Sequence, residues 1–324
     1  MKYLIIFLFA ATTCAIPLEE WNLFKAKYRK RYETKAEEQK RMKIFLKKKQ
    51  MIEEHNENYK NGFETYHMTM NRFGDMTENE LKEKANISYH KNNQCGVFIK
   101  SMRLKNIPDN VDWRQKGAVT PVQNQGNCWS SWAFSGIGSL EGQQFKKTNK
   151  LVQLSVQNLL DCSKAYGNLG CSGGRAAYAF NYIRDNGGVD LEEFYPYEGN
   201  DGSCRFKSAY VGAEDSGYTN IPRGDEDALE EAVASVGPIA VTVDGSQSSF
   251  AHYSGGVYYS ENCSKELVNH SMLVVGYGVE KGQEYWLVKN SFGTDWGEAG
   301  YIKMAKNKNN NCGIASEGSY PLVQ

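Results

Sequence analysis

Glu37, Arg41, Ile44, Phe45, Lys48, Ile52 and Asn56 recur three or four residues apart. That spacing places them on one face of a helix. Trp21, Phe24 and Tyr28 repeat the pattern earlier in the chain. A face that mixes Glu and Arg with apolar residues implies pairing within the helix and docking against something else. From Thr69 to Thr77 alternation replaces the helical period. The Lys/Asn-rich stretch from Lys82 to Lys105 has few large apolar residues and reads as an exposed linker. Past Pro108 glycines, aromatics and cysteines become frequent. There, four apolar runs separated by Gly and charged turns predict strands: Val257–Tyr259, Met272–Tyr277, Tyr285–Lys289 and Tyr301–Met304. A processing boundary is expected near Ile107.

The N-terminus has its own pattern. Met1-Lys2, an apolar run from Tyr3 to Ala11 and small residues through Ala15 predict a secretory signal peptide over residues 1–15. The run is far shorter than the roughly 20 apolar residues of a membrane span, and no later stretch supplies them. The expected layout is therefore a signal at 1–15, a removable segment at 16–106 and a body at 107–324. With 40% hydrophobic and 12% aromatic residues the chain can bury a core. A net charge of zero gives no reason to expect nucleic acid. The zero conceals a split: residues 16–106 hold 20 Lys+Arg against 13 Asp+Glu, and residues 107–324 hold 17 against 25. A basic segment joined to an acidic body predicts electrostatic docking of one on the other, unless solvated faces simply differ in composition. In a secreted chain disulfides are the default use of cysteine. Cys14 leaves with the signal, so Cys95, Cys128, Cys162, Cys171, Cys204, Cys263 and Cys312 remain.

Four motifs carry the chemistry. Gln125-Gly126-Asn127-Cys128-Trp129-Ser130-Ser131-Trp132-Ala133-Phe134-Ser135 resembles the active-site helix of papain-family cysteine peptidases. The run from Asn269 to Gly278 resembles that family's histidine strand, and Tyr285 to Gly293 its asparagine motif. Gly170-Cys171-Ser172-Gly173-Gly174 resembles its substrate-binding loop. The N-terminal pattern resembles the inhibitory propeptide of cathepsin L-like members, with Lys48 in place of a common Asn and Thr69 in place of a Gly. The resemblance implies an α+β, two-lobe papain-like fold, with a helical left lobe opened by the Ser131 helix and a β-rich right lobe carrying His270 and Asn290. The propeptide would run through the cleft between the lobes. It implies the disulfides Cys128–Cys171, Cys162–Cys204 and Cys263–Cys312, and no metal or other cofactor.

Carried over position by position, Gln125 matches the oxyanion glutamine, His270 the base and Asn290 the residue that orients it. The nucleophile position falls on Ser131. An alternative frame makes Cys128 the nucleophile, because Cys128-Trp129 mimics the usual Cys-Trp pair. Two observations oppose it. Trp132-Ala133-Phe134-Ser135 fits only the Ser131 frame, and the three implied bridges consume all six cysteines of the body. A cysteine at a helix N-terminus beside a histidine is held as a thiolate. An alcohol is far less acidic and needs its proton removed during attack. Severe loss of peptidase activity is therefore expected. Two neighbours also depart from the family: Trp129 replaces a glycine lining the cleft, and Phe292 replaces the tryptophan that shields the Asn–His bond. An engineered knock-out needs one change, so three point to drift or repurposing.

The specificity pocket departs as well. Beside Gly173, Gly174, Ala176 and Ser271, Arg175 stands where a large apolar residue is common, and Glu317 where small residues floor the pocket. They are expected either to form an ion pair that closes the pocket or selects a polar side chain, or to be two solvated charges. His252 reads as packing or surface and not as a ligand, since no second metal-type residue has suitable spacing. Asn86 and Asn262 are glycosylation candidates, and a glycan on a third sequon, at Asn269, would obstruct the cleft. Cys95 is an odd cysteine. Two function classes follow. One is an inactivated homologue, expected to be a monomer, whose cleft holds its own propeptide, peptide or protein ligands, or cysteine-protease inhibitors, in the extracellular fluid or lysosome. The other is a residual hydrolase using Ser131, His270 and Asn290.

Overall fold

A computed structural model describes residues 18–83, 96–100 and 107–324. The signal segment, Asn86 and Cys95 lie outside the described residues. Helix α1 spans 18–27 and α2 spans Lys35–Lys60. The side chain of Thr34 caps α2 by accepting the Glu37 N–H, and Glu37 and Glu38 place acids in its first turn, where the helix dipole favours them. The two predicted faces meet: Trp21, Phe24 and Phe45 form a buried cluster. Arg41 then ties the segment together. Its guanidinium pairs with Glu37 at 2.6 Å, with Glu80 of α3 (Glu78–Glu83) at 2.7 Å, and donates to the Asp75 carbonyl at 2.9 Å.

The hydrogen bond from Arg41 holds the Glu80 carboxyl down at about 2. A carboxylate whose folded pKa is depressed stabilises the fold above its unfolded value and loses that contribution as pH falls through the folded one. The N-terminal segment is therefore expected to loosen between about pH 4.5 and pH 2. Arg41→Ala should move that loosening to higher pH in a circular-dichroism titration of the full chain. An unchanged midpoint would rule out this pairing as the acid-labile contact.

Strand β1 (Tyr66–Met68) follows α2, with β2 at Gly96–Val97. In the body come β3 (Val111–Asp112), helices α4 (Ser131–Thr148), α5 (Val156–Cys162) and α6 (Ala176–Asn186), and the small β4/β5 pair (Val189–Asp190, Val211–Ala213). The remainder is β6 (Tyr218–Asn220), α7 (Glu226–Ser235), β7 (Ile239–Val243), α8 (Ser248–Ala251), β8 (Tyr253–Tyr258), β9 (His270–Glu280), β10 (Gln283–Lys289), β11 (Tyr301–Ala305) and β12 (Glu317–Pro321). The main sheet runs β1-β8-β11-β10-β9-β7-β12-β6-β2, with β3 paired to β9. All four predicted strands are present. This is the papain-like α+β fold with a helical N-terminal segment that the motifs implied. A left-lobe core packs Trp132, Ala133, Ile137, Leu140, Phe180 and Ile183, and a right-lobe core is built on the sheet. Gly138 lets α4 approach β9, since a Cβ there would lie 2.7 Å from Leu273 Cδ2.

Two expectations change. Residues 69–77 do not continue as a strand. The Asn71 carboxamide accepts the Phe73 N–H, and Gly74 and Met76 close tight turns onto Asn71 and Phe73, so local bonds outcompete extension. The charge split is also little used in docking. Among the described residues, the ion pair joining the segment to the body is Lys100 with Asp225 and Asp227, while Lys25, Lys30, Arg41 and Lys49 pair inside the segment. Docking is apolar instead: Ile52, Tyr66, Met68, Phe73 and Leu81 complete the right-lobe core, and β1 pairs with β8. Lys48, on the predicted docking face, is buried and donates to Ser248 Oγ of the body.

Candidate active site

Ser131 opens α4, so its backbone N–H is among those with no partner inside the helix. His270 opens β9 and Asn290 follows β10, and the antiparallel pairing of those strands brings the two together. His270 Nε2 and Asn290 Oδ1 lie 2.8 Å apart, both residues buried. Phe292 covers that bond with ring centroids 4.7 Å from His270, and Phe250 meets the imidazole edge-on at 5.8 Å. Phe292 thus gives the imidazole an apolar cover. Burial under these rings lowers the imidazole to about 4, which the Asn290 bond only partly offsets. The imidazole is therefore neutral at physiological pH.

Ser131 is 6% exposed, and its hydroxyl oxygen accepts the Ser271 N–H at 3.3 Å. Among the hydrogen bonds of the described residues none joins Ser131 to His270. Gln125 is buried beside them. Its amide nitrogen donates to the Cys128 carbonyl at 3.0 Å, and its oxygen accepts Ser291 Oγ at 2.6 Å. The Cys128–Cys171 disulfide ties this loop to the glycine loop, reinforced by a bond from Trp129 N–H to the Cys171 carbonyl at 3.1 Å. Cys162–Cys204 and Cys263–Cys312 are also bridged, so no body cysteine is a thiol. Gly173 has a φ of 119°. Gly174 must lack a Cβ, because one would sit 2.7 Å from the Trp132 ring.

The N-terminal segment lies over this arrangement. Phe73 packs on Phe292 with centroids 5.2 Å apart, and the Arg72 guanidinium sits 5.4 Å from the same ring. Arg72, Phe73 and Leu81 close a cavity of about 60 Å³ over Gln125, Trp129, His270 and Phe292. Trp129 is half-buried there and also faces the segment's Tyr32, Asp75 and Met76 across a larger space. Arg175 and Glu317 do meet, at 2.8 Å.

Residues 107–322 match the description "Papain family cysteine protease". The chain belongs to the papain family. Residues 21–81 match "Cathepsin propeptide inhibitor domain (I29)". Digestive cysteine proteinase 2 of Homarus americanus is 50% identical over the whole of both chains, and a cathepsin L-like peptidase of Aedes aegypti 48% identical over the whole of both. Among solved structures, digestive procathepsin L 3 of Tenebrio molitor larval midgut aligns with a TM-score of 0.88 at 42% identity, covering 95% of this chain and 99% of that one. This chain is a cathepsin L-like member with a zymogen layout. Among the described residues no helix is long and apolar enough to cross a membrane.

Some site features had no sequence signal. Tyr197 donates to the Gln125 carbonyl at 2.9 Å and meets Ser130 Oγ at 2.7 Å, bridging the loop to the helix start. Beneath the site, the buried Glu141 on α4 accepts Thr120 Oγ1 at 2.6 Å, and Lys289 on β10 donates to the Thr120 carbonyl at 2.8 Å. Burial raises Glu141 to about 7 and lowers Lys289. This network links the two lobes through residues 148 positions apart in sequence. His252 is fully buried, with Nδ1 on the Ser248 carbonyl at 2.9 Å, as expected of a packing residue. Asn262 is exposed, whereas Asn269 is tied to Gly245 N–H and Asp244.

Proposed function

We propose that this chain is a catalytically silenced member of its family, keeping the zymogen layout and the cleft as a binding site for peptide or protein ligands. The observation that carries the reading is Ser131 at the head of α4, with its oxygen turned to the Ser271 N–H and no hydrogen bond to the imidazole. Activation of an alcohol requires that missing contact with a base. Trp129, beside the site, takes room that a substrate backbone needs. In this reading Gln125, His270 and Asn290 are retained machinery without a nucleophile. The ligands include the chain's own propeptide, peptides, or inhibitors drawn away from active relatives. The protein acts as a monomer in the secretory pathway, outside the cell or in lysosomes, with glycan on Asn86 or Asn262.

A second reading, a hydrolase using Ser131, His270 and Asn290, draws on the intact 2.8 Å His270–Asn290 contact. A turnover assay separates them. Protein folded as the full chain and cleaved ahead of Ile107 is expected to release no fluorophore from peptidyl-coumarin substrates above the rate of a His270→Ala control. Turnover abolished by a serine-directed fluorophosphonate would establish the second reading.

A further inference from the structure

Between the start of α6 and β12 lies a cavity of about 170 Å³, bordered by Arg175, Ala176, Asn220, Thr242, Ser316 and Glu317. It is coupled to the site by short steps: Thr242 Oγ1 lies 3.3 Å from Ser271 Oγ, and Ser271 N–H donates to Ser131. A bound chain that crosses Ser131 therefore presents its neighbouring side chain to this cavity. Arg175 comes from the left lobe and Glu317 from the right, 142 residues later, and their side chains are only 19% and 21% exposed. The remaining charge in the wall, Arg223, is paired with Glu266 at 2.6 Å.

We infer that this pocket selects a side chain ending in a primary amide, glutamine or asparagine, from the ligand. The inference rests on the ligand-holding reading above. An apolar side chain would strip water from the ion pair without replacing its hydrogen bonds, which is costly for part-buried charges. A charged side chain would bring a third charge to a pair already neutral. A primary amide does neither: its N–H₂ donates to Glu317 and its carbonyl accepts from Arg175. The chemistry allows both, because a carboxylate accepts up to about four hydrogen bonds and a guanidinium donates five.

The test uses protein folded as the full chain and cleaved ahead of Ile107. Fluorescein-labelled tetrapeptides differ only at the residue that enters the pocket: Gln, Asn, Leu, Phe, Arg or Glu. Fluorescence anisotropy is expected to rank Gln and Asn about tenfold tighter than Leu and Phe. The Arg175→Leu/Glu317→Ala double variant should reverse that order, Glu317→Gln should shift preference to Glu, and Arg175→Gln should shift it to Arg. Wild-type binding that favours Leu or Phe, or ranks all six alike, overturns the pocket assignment while leaving the ligand-holding reading intact. No binding of any peptide overturns both.

Discussion

The Ser131→Cys variant is expected to gain peptidase activity, at least about 10³-fold over the serine protein. Loss of a single nucleophile in a hydrolase costs on the order of 10⁶ in kcat, so even partial restoration is large. The argument rests on what surrounds the position. Ser131 already heads α4, where the helix dipole and unpaired N–H groups favour an anion. A thiol of pKa near 8.5 can be drawn below 7 there, whereas an alcohol cannot. The His270 imidazole meets Asn290 at 2.8 Å and is sheltered by Phe292, which leaves it fit for the proposed role of base. Processed Ser131→Cys protein should react with iodoacetamide at pH 6 and lose its new activity in proportion. Adding Trp129→Gly should raise kcat/KM further, because the indole borders the cavity above His270. If even the double variant neither alkylates nor turns over substrate, the proposal that Ser131 and Trp129 silence the site is overturned.

Replacing both Cys128 and Cys171 by alanine is expected to cost about 4 kcal/mol of stability, from the loop-closure entropy of a bridge spanning 43 residues. For a body of this size that is a fall in melting temperature of about 8–16 °C, read by calorimetry under non-reducing conditions. The effect should also be felt locally at the site. The bridge holds the Gln125 loop on the glycine loop, and Trp129 N–H depends on the Cys171 carbonyl for its hydrogen bond. An unchanged melting temperature would mean that the left-lobe core, with Trp132 packed against Gly174, holds both loops unaided.

Much of this was legible because it is written in short windows. Phe45 and Ile52 show their helix face through spacing alone, and the Met272–Tyr277 run shows its strand through composition. The three bridges that the family resemblance implied are present and leave no body cysteine as a thiol. Where local side chains bond locally, the pattern misled: Asn71 folded an alternating stretch into turns. The charge count misled for another reason. It sums over a segment, whereas Lys25, Lys30, Arg41 and Lys49 are neutralised by acids of that same segment before the body is reached.

The sequence by itself, through the motifs that resemble the papain family, was enough to propose Ser131, His270 and Asn290 for the nucleophile, base and orienting positions, because motif order needs no geometry. Only the tertiary structure decided where the Ser131 oxygen points, and that Arg175 and Glu317 join across the two lobes. It also decided that the N-terminal segment docks by completing an apolar core. Each of these depends on contacts between residues far apart in the chain, whose distances are set by how whole layers pack and not by any local period.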